Sequence, residues 1–295
     1  MTTHMAVPGR IDPAGDAGEG PGANAAEPLL SLRGVDKTFG AVQALTKVDL
    51  DVPAGQVTAL VGDNGAGKSV LIKCIAGIHT PDSGQIFWAG HPVHIRTPRD
   101  SAALGIETVH QDLALCDNLD IVQNMYLGRE ITRMGLLNEE DMEKSAGTTL
   151  KSLAVTTVRS IRQPVASLSG GQRQSVAIAK AVLWNSKLVI MDEPTAALGV
   201  AQTTMVLDLV RRLADRGLAV LLVSHNMNDV FEVADGIAVL RLGHMVAQRP
   251  AAEMDKQIVV DLMTTGVSTR AAPAAGTGPA RASARAERES TRDEA

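Results

Sequence analysis

The feature that most constrains this chain is Gly62-Asp63-Asn64-Gly65-Ala66-Gly67-Lys68-Ser69, because of what flanks it. Ahead of it, Gln56–Val61 is β-branched and apolar, which predicts a buried strand. Behind it, Lys68–Ala76 carries apolar residues at helical spacing, and Gly77 is a natural stop. Strand, glycine loop and helix follow one another in the order needed to wrap an anion. The glycines let the backbone curl until successive N–H groups point inward. The start of the helix adds a positive field. The spacing G-x-x-x-x-G-K-[ST] is that of a phosphate-binding loop, in which Lys68 reaches the β- and γ-phosphates of a nucleotide and the Ser69 hydroxyl ligates Mg²⁺. Kinases, GTPases, motors and transport ATPases all use such a loop, so it does not choose among them.

With 295 residues and 45% hydrophobic content, the chain can bury a sizeable core in one large or two small domains. A formal net charge of −5 gives no basic surface for nucleic acid. The two cysteines, Cys74 and Cys116, lie far apart in no metal-ligand spacing, which fits a reduced compartment better than a disulfide framework. Cys74 is expected to face the core. Met1–Arg10 lacks the apolar centre of a secretory signal, and no apolar run approaches the roughly 18 residues of a membrane span. A role at a membrane would require another chain to hold this one there.

Residues 1–27 are rich in Gly, Ala, Pro and acidic groups and are expected to be disordered, as are residues 267–295. Leu29–Val35 and Leu45–Val52 read as strands. Phe39, on the predicted loop between them, either stacks on an adenine or plugs a gap between strands. Strands are expected at Gln85–Trp88, around Val93 and at Ile106–Val109, and a short helix at Asp100–Leu104. The strand ending at Val109 runs into His110-Gln111-Asp112, which reads equally as a ligand-sensing position or a plain strand exit. From Ile121 to Val165 the pattern turns helical and polar, marking a mainly helical insertion over about 112–166. Then comes Leu168-Ser169-Gly170-Gly171-Gln172-Arg173-Gln174, in which a Ser before two glycines forms both an N-cap and an anion nest. Leu188–Met191 is an apolar strand ending in Asp192 and Glu193, where α/β sheets place their ligands. Adjacent carboxylates on a buried strand are costly unless a cation or a proton transfer uses them. The side chains alternate, so Asp192 can serve a metal while Glu193 addresses an attacking water. An amphipathic helix is expected at Ala201–Arg216 and an apolar strand at Leu218–Val223 that ends at Ser224-His225. A final strand, Ile237–Arg241, and a helix, Ala251–Met263, complete the pattern.

With the phosphate loop, Gln111, Leu168–Gln174, Asp192-Glu193 and His225 in this order, residues 29–266 resemble the ATP-binding subunit of an ABC transporter. Leu-Ser-Gly-Gly-Gln is the discriminating element. The resemblance implies an α/β P-loop NTPase cassette over 28–266, with a RecA-like core, an antiparallel β subdomain and a helical subdomain. It implies that Phe39 stacks on adenine and that Gly62, Asp63, Asn64, Gly65, Ala66, Gly67, Lys68, Ser69 and Val70 hold ATP. Ser69, Gln111 and Asp192 would attend Mg²⁺. Ser169, Gly170, Gly171 and Gln172 would close on the γ-phosphate of ATP held by a second copy. Glu193 would be the general base, and His225, Lys68 and Gln111 would act with it. Gly199 departs from the pattern, since the family usually has Asp there to help couple two sites.

Pro98-Arg99-Asp100, Val109-His110-Gln111, Asn124-Met125 and Leu127–Glu130 look like monosaccharide importers, and Ala197–Val200 like their fructose-type branch. A single set of motifs implies a homodimer that sits on permease subunits at the cytoplasmic face of the membrane and serves an extracytoplasmic sugar-binding protein. The stretch after Met263 is too short for the regulatory domain of maltose-type subunits. Rival readings are a soluble ABC ATPase of the translation or repair kind, an exporter ATPase, and a regulatory module that binds ATP with little turnover. Tandem cassettes or a long coiled-coil insertion would mark the first, and Gly199 alone favours the last.

Overall fold

The structure is a computed structural model that describes residues 28–155 and 158–268. The expected disorder of 1–27 and of the tail from 269 lies outside the described residues. The chain opens with a long hairpin, β1 (Leu30–Phe39) and β2 (Val42–Val52), followed by β3 (Val57–Val61), α1 (Lys68–Ile75), β4 (Ser83–Trp88) and β5 (His91–Val93). Next come α2 (Pro98–Leu104), β6 (Ile106–Val109), α3 (Ile121–Tyr126), the two-residue strands β7 (Thr132–Arg133) and β8 (Leu136–Leu137), and α4 (Glu139–Ser152). The rest is α5 (Gly170–Leu183), β9 (Leu188–Asp192), α6 (Val200–Asp215), β10 (Ala219–Val223), α7 (Met227–Val233), β11 (Gly236–Arg241), β12 (His244–Pro250) and α8 (Lys256–Thr265).

Two larger sheets result. The first is antiparallel, in the order β2-β1-β4-β5, and the second is six-stranded, in the order β12-β11-β3-β10-β9-β6. In the second sheet β6, β9, β10, β3 and β11 pair in parallel, and β12 closes one edge antiparallel to β11. Its inner strands read as continuous apolar runs because both faces are covered. The alternation is explicit in β9: Val189 and Met191 pack toward α5, α6 and the helical insertion, while Leu188 and Ile190 pack toward α1 and the antiparallel sheet. A third cluster joins β3 and β11 to α7 and α8. The expected three-part cassette is therefore present, with the insertion carrying a small hairpin beside its helices.

Several boundaries differ from the sequence reading. β1 continues through Phe39, which pairs with Val42 across a tight Gly40-Ala41 turn, so Phe39 ends a strand and does not sit on a loop. The closing helix begins at Lys256, not at Ala251. Asp255 accepts the N–H of Ile258 at 2.7 Å and so fixes the helix start, leaving Ala251–Glu253 as a 3₁₀ turn. Neither β12 nor α7 was anticipated.

Cys74 is fully buried on α1, and that burial pushes its thiol up to about 11. Cys116 is partly accessible. At pH 8 one thiol, Cys116, should react with an aromatic disulfide reagent in the native protein, and both after denaturation. Two fast native thiols would contradict this packing.

Candidate functional site

The phosphate loop is held by close approach that only glycine permits. A Cβ on Gly62 would stand 2.2 Å from the Leu240 carbonyl oxygen. One on Gly67, where φ is 107°, would stand 2.7 Å from the Ala44 carbonyl. The loop is thus pressed between β11 and β2, and α1 starts at Lys68 with its leading N–H groups free of intrahelical acceptors. Lys68 Nζ donates to the carbonyls of Gly62 at 2.6 Å and Asp63 at 3.0 Å. Burial lowers the Lys68 pKa, while the charges of Glu193, Asp192 and Asp63 act to raise it. An ammonium held by two loop carbonyls can exchange them for phosphate oxygens, so the cradle fits a polyphosphate.

Parallel register gathers the other groups at the same rim. Val109 of β6 pairs with Met191 of β9, and Asp192 pairs with Val223 of β10. Gln111 therefore follows two residues behind one strand, Glu193 one residue behind the next, and His225 two behind the third. Glu193 has a left-handed backbone (φ 51°), unfavourable for a residue with a side chain by roughly 1–2 kcal/mol. Its N–H donates to Val223 O at 2.9 Å. Its Oε1 lies 2.8 Å from His225 Nδ1, with Glu193 16% exposed and His225 71%. An ionised carboxylate only accepts, so Nδ1 carries the proton. Ser69, Gln111 and Asp192 offer hydroxyl, amide and carboxylate oxygens, a donor set that suits a hard cation.

The remaining motif stands apart. Ser169 caps α5, its N–H donating to Gln172 Oε1 at 2.9 Å and its Oγ accepting the N–H of Gln172 at 3.4 Å. Gln172 thus serves the helix start. Gly170 and Gly171 let α5 approach α6, since Cβ atoms there would lie 3.1 Å from Leu198 Cδ2 and 3.0 Å from Gln202 Cβ. None of Ser169–Gln172 lines the cavity of about 370 Å³ beside the phosphate loop, and neither do Gln111, Asp192, Glu193 and His225. Phe39 does not line it either. It is 42% exposed and packs edge-on against His79 at 5.0 Å, with Lys37 Nζ 5.4 Å from its ring centre. Val42, three residues on, does line the cavity.

One positioning residue, Asp229, escaped the sequence reading, and for another, Asn124, the residue order offered only a family likeness and no structural role. Asp229, 5% exposed on α7, accepts from Thr195 Oγ1 at 2.6 Å and from Asn226 Nδ2 at 2.9 Å, joining the segment after Glu193 to the segment after His225. A helical carboxylate four residues past the histidine was the available signal. Asn124, fully buried, accepts the N–H of Cys116 at 2.7 Å and donates to the carbonyls of Cys116, Leu119 and Asp120. That stretch is also tied to the approach to Ser169. Val165 N–H donates to Leu119 O, Ala166 N–H to Asp117 O, and Arg173 pairs with Asp117 at 3.0 Å. Gly199 stands at the N-cap of α6, which has no side-chain cap.

Residues 45–196 match the family described as ABC transporter. The chain is 50% identical over 226 residues to the fructose import ATP-binding protein FrcA of Rhizobium meliloti, covering 74% of this chain and 87% of that one. It is 45% identical over 237 residues to the xylose/arabinose import ATP-binding protein XylG of Sulfolobus acidocaldarius, covering 80% and 94%. It superposes on the dimeric structure of a bacterial ABC transporter cassette with a TM-score of 0.62 and 26% identity, over 75% of this chain and 98% of that one.

Asp229→Ala should strand the Thr195 hydroxyl and the Asn226 amide, lowering unfolding free energy by about 1–3 kcal/mol in denaturant titration. Asp229→Asn keeps one acceptor and should recover part of it. An unchanged midpoint in the alanine variant would refute the linking role.

Proposed function

This chain belongs to the ABC transporter family, and from that premise we propose that two copies clamp two ATP molecules head to tail, each between the phosphate loop of one copy and Ser169, Gly170 and Gly171 of the other. The chain is the ATP-hydrolysing subunit of a monosaccharide importer, in keeping with relatives named for fructose and for xylose or arabinose import. It covers 87% and 94% of those relatives. One set of motifs per chain then calls for a second copy. A dimeric cassette of the same fold supports that arrangement.

The observation that carries the hydrolytic reading is the Glu193–His225 pair, 2.8 Å apart on the rim shared with Lys68. Lys68 leaves its two carbonyls for the β- and γ-phosphates, and the loop through Val70 supplies backbone N–H groups. Held by His225, Glu193 takes the proton from the attacking water. Mg²⁺ bound by the oxygens of Ser69 and Asp192, with Gln111 beside them, would neutralise phosphate charge. Phe39, at the hairpin tip, is the aromatic available to the adenine. Gly199 leaves the cross-copy contact at that point to backbone.

Clustered phosphate charge favours closure around ATP, and hydrolysis relieves it. Gln111 and the helical subdomain at 112–166 pass that motion to permease subunits, which gather sugar from an extracytoplasmic binding protein. Among the described residues no helix is long and apolar enough to cross a membrane. In this reading the permease holds the subunit at the cytoplasmic face.

Glu193→Gln should cut ATP turnover at least about a hundredfold while retaining ATP binding, and light scattering should show this variant dimeric in Mg-ATP. Normal turnover would remove Glu193 from its role. A variant that stays monomeric in saturating Mg-ATP, both free and on a permease, would end the two-copy reading.

A further inference from the structure

The turn between β11 and β12 consists of Leu242 and Gly243, both at positive φ, 45° and 79°. Two-residue hairpin turns of this kind favour Asn, Asp or Gly, which reach the left-handed region at small steric cost. A leucine there is strained, and burial does not compensate, since Leu242 is 67% exposed. Strain and apolar exposure at one position point to a role outside the chain's own packing.

The turn is firmly mounted. Gly243 N–H donates to the Ala66 carbonyl of the phosphate loop at 2.9 Å, and Gly243 O accepts from Thr46 N–H at 2.8 Å. A Cβ on Gly243 would meet Ala44 O at 2.8 Å, so the turn sits flush on β2. Leu242 is therefore fixed relative to the loop. Val42, 65% exposed at the start of β2, lines the same cavity of about 370 Å³ together with Leu242 and the loop residues Asn64–Ser69. Two exposed aliphatic side chains on separate hairpins share one space with a phosphate cradle. An apolar ring joined to phosphates is the chemistry that satisfies both, beside the partly exposed Phe39.

We propose that Leu242, with Val42, forms the wall that receives the nucleoside end of the bound nucleotide and discriminates it from bare polyphosphate. This rests on the reading of the cradle as an ATP site. Leu242 adds apolar contact that appears only when a base is present, and the strain in its turn is the cost of presenting it.

The test compares the full wild-type chain with Leu242→Asn by calorimetric titration of Mg-ATP and of Mg-tripolyphosphate, which lacks base and ribose. Asn suits the left-handed turn, so the variant should melt no lower than wild type, and Leu242→Gly serves as a second replacement. The expected result is ATP affinity weakened about fivefold with tripolyphosphate affinity unchanged in both variants. Unchanged ATP affinity overturns the assignment. So does equal weakening of both ligands, which would mean a loosened phosphate loop, or weakened dimerisation with intact nucleotide affinity, which would make Leu242 a contact between copies. A wild-type chain that binds tripolyphosphate as tightly as ATP also overturns it. One that binds neither overturns the nucleotide-site reading itself.

Discussion

Parallel register is the constraint on which the rest depends. Because β3, β10, β9 and β6 run the same way in adjacent positions, every residue at a carboxyl end arrives at one rim. No single motif creates that meeting. The glycine loop contributes a cradle, β9 the carboxylates, β10 the histidine and β6 the glutamine. Apolar cover on both faces keeps the strands in step, since a slip of one residue would exchange the side chains facing the two cores. Charges of opposite sign are thereby held together in a low-dielectric setting, where Lys68 gives up part of its hydration in return for three nearby carboxylates.

The second organising feature is the tie between the stretch after Gln111 and the start of α5. The α5 start, with its exposed Ser169 and Gly170, is built as a capped helix packed on α6. The stretch after Gln111 is laced to that same helix through Leu119, Asp117 and Arg173. One end of this connection follows the carboxyl end of β6, the other lies at the start of α5.

Much of this was legible in the residue order. The glycine loop, the apolar strand ending in Asp192 and Glu193, and the strand running into His225 announce themselves because local pattern and chemistry coincide over a few residues. The glycines at Gly62 and Gly67 could be read as conformational necessities, although the carbonyls they approach, of Leu240 and Ala44, come from distant segments. What the pattern missed was set by tertiary pairing. β12 is a polar edge strand with little alternation, and α7 is a single short helix. The pattern puts Phe39 on a loop because hairpin pairing past Val35 involves register shifts that no periodicity reveals. Asp229 looks like an ordinary polar helix residue, and the positioning role of Asn124 stays hidden, until their partners, many positions away or on the preceding loop, are seen.

The Asn124 clamp has a further consequence for how the helical insertion is joined to the sheet. Its amide engages Cys116, Leu119 and Asp120 at once, so the chain from Cys116 onward rides with α3. Among the described residues no loop backbone hydrogen bond holds residues 110–115. Backbone pairing therefore ties the chain from Cys116 onward to α3 and to the approach to α5, and leaves the short run between β6 and Cys116 as the stretch between the sheet and the helical insertion that no such bond crosses.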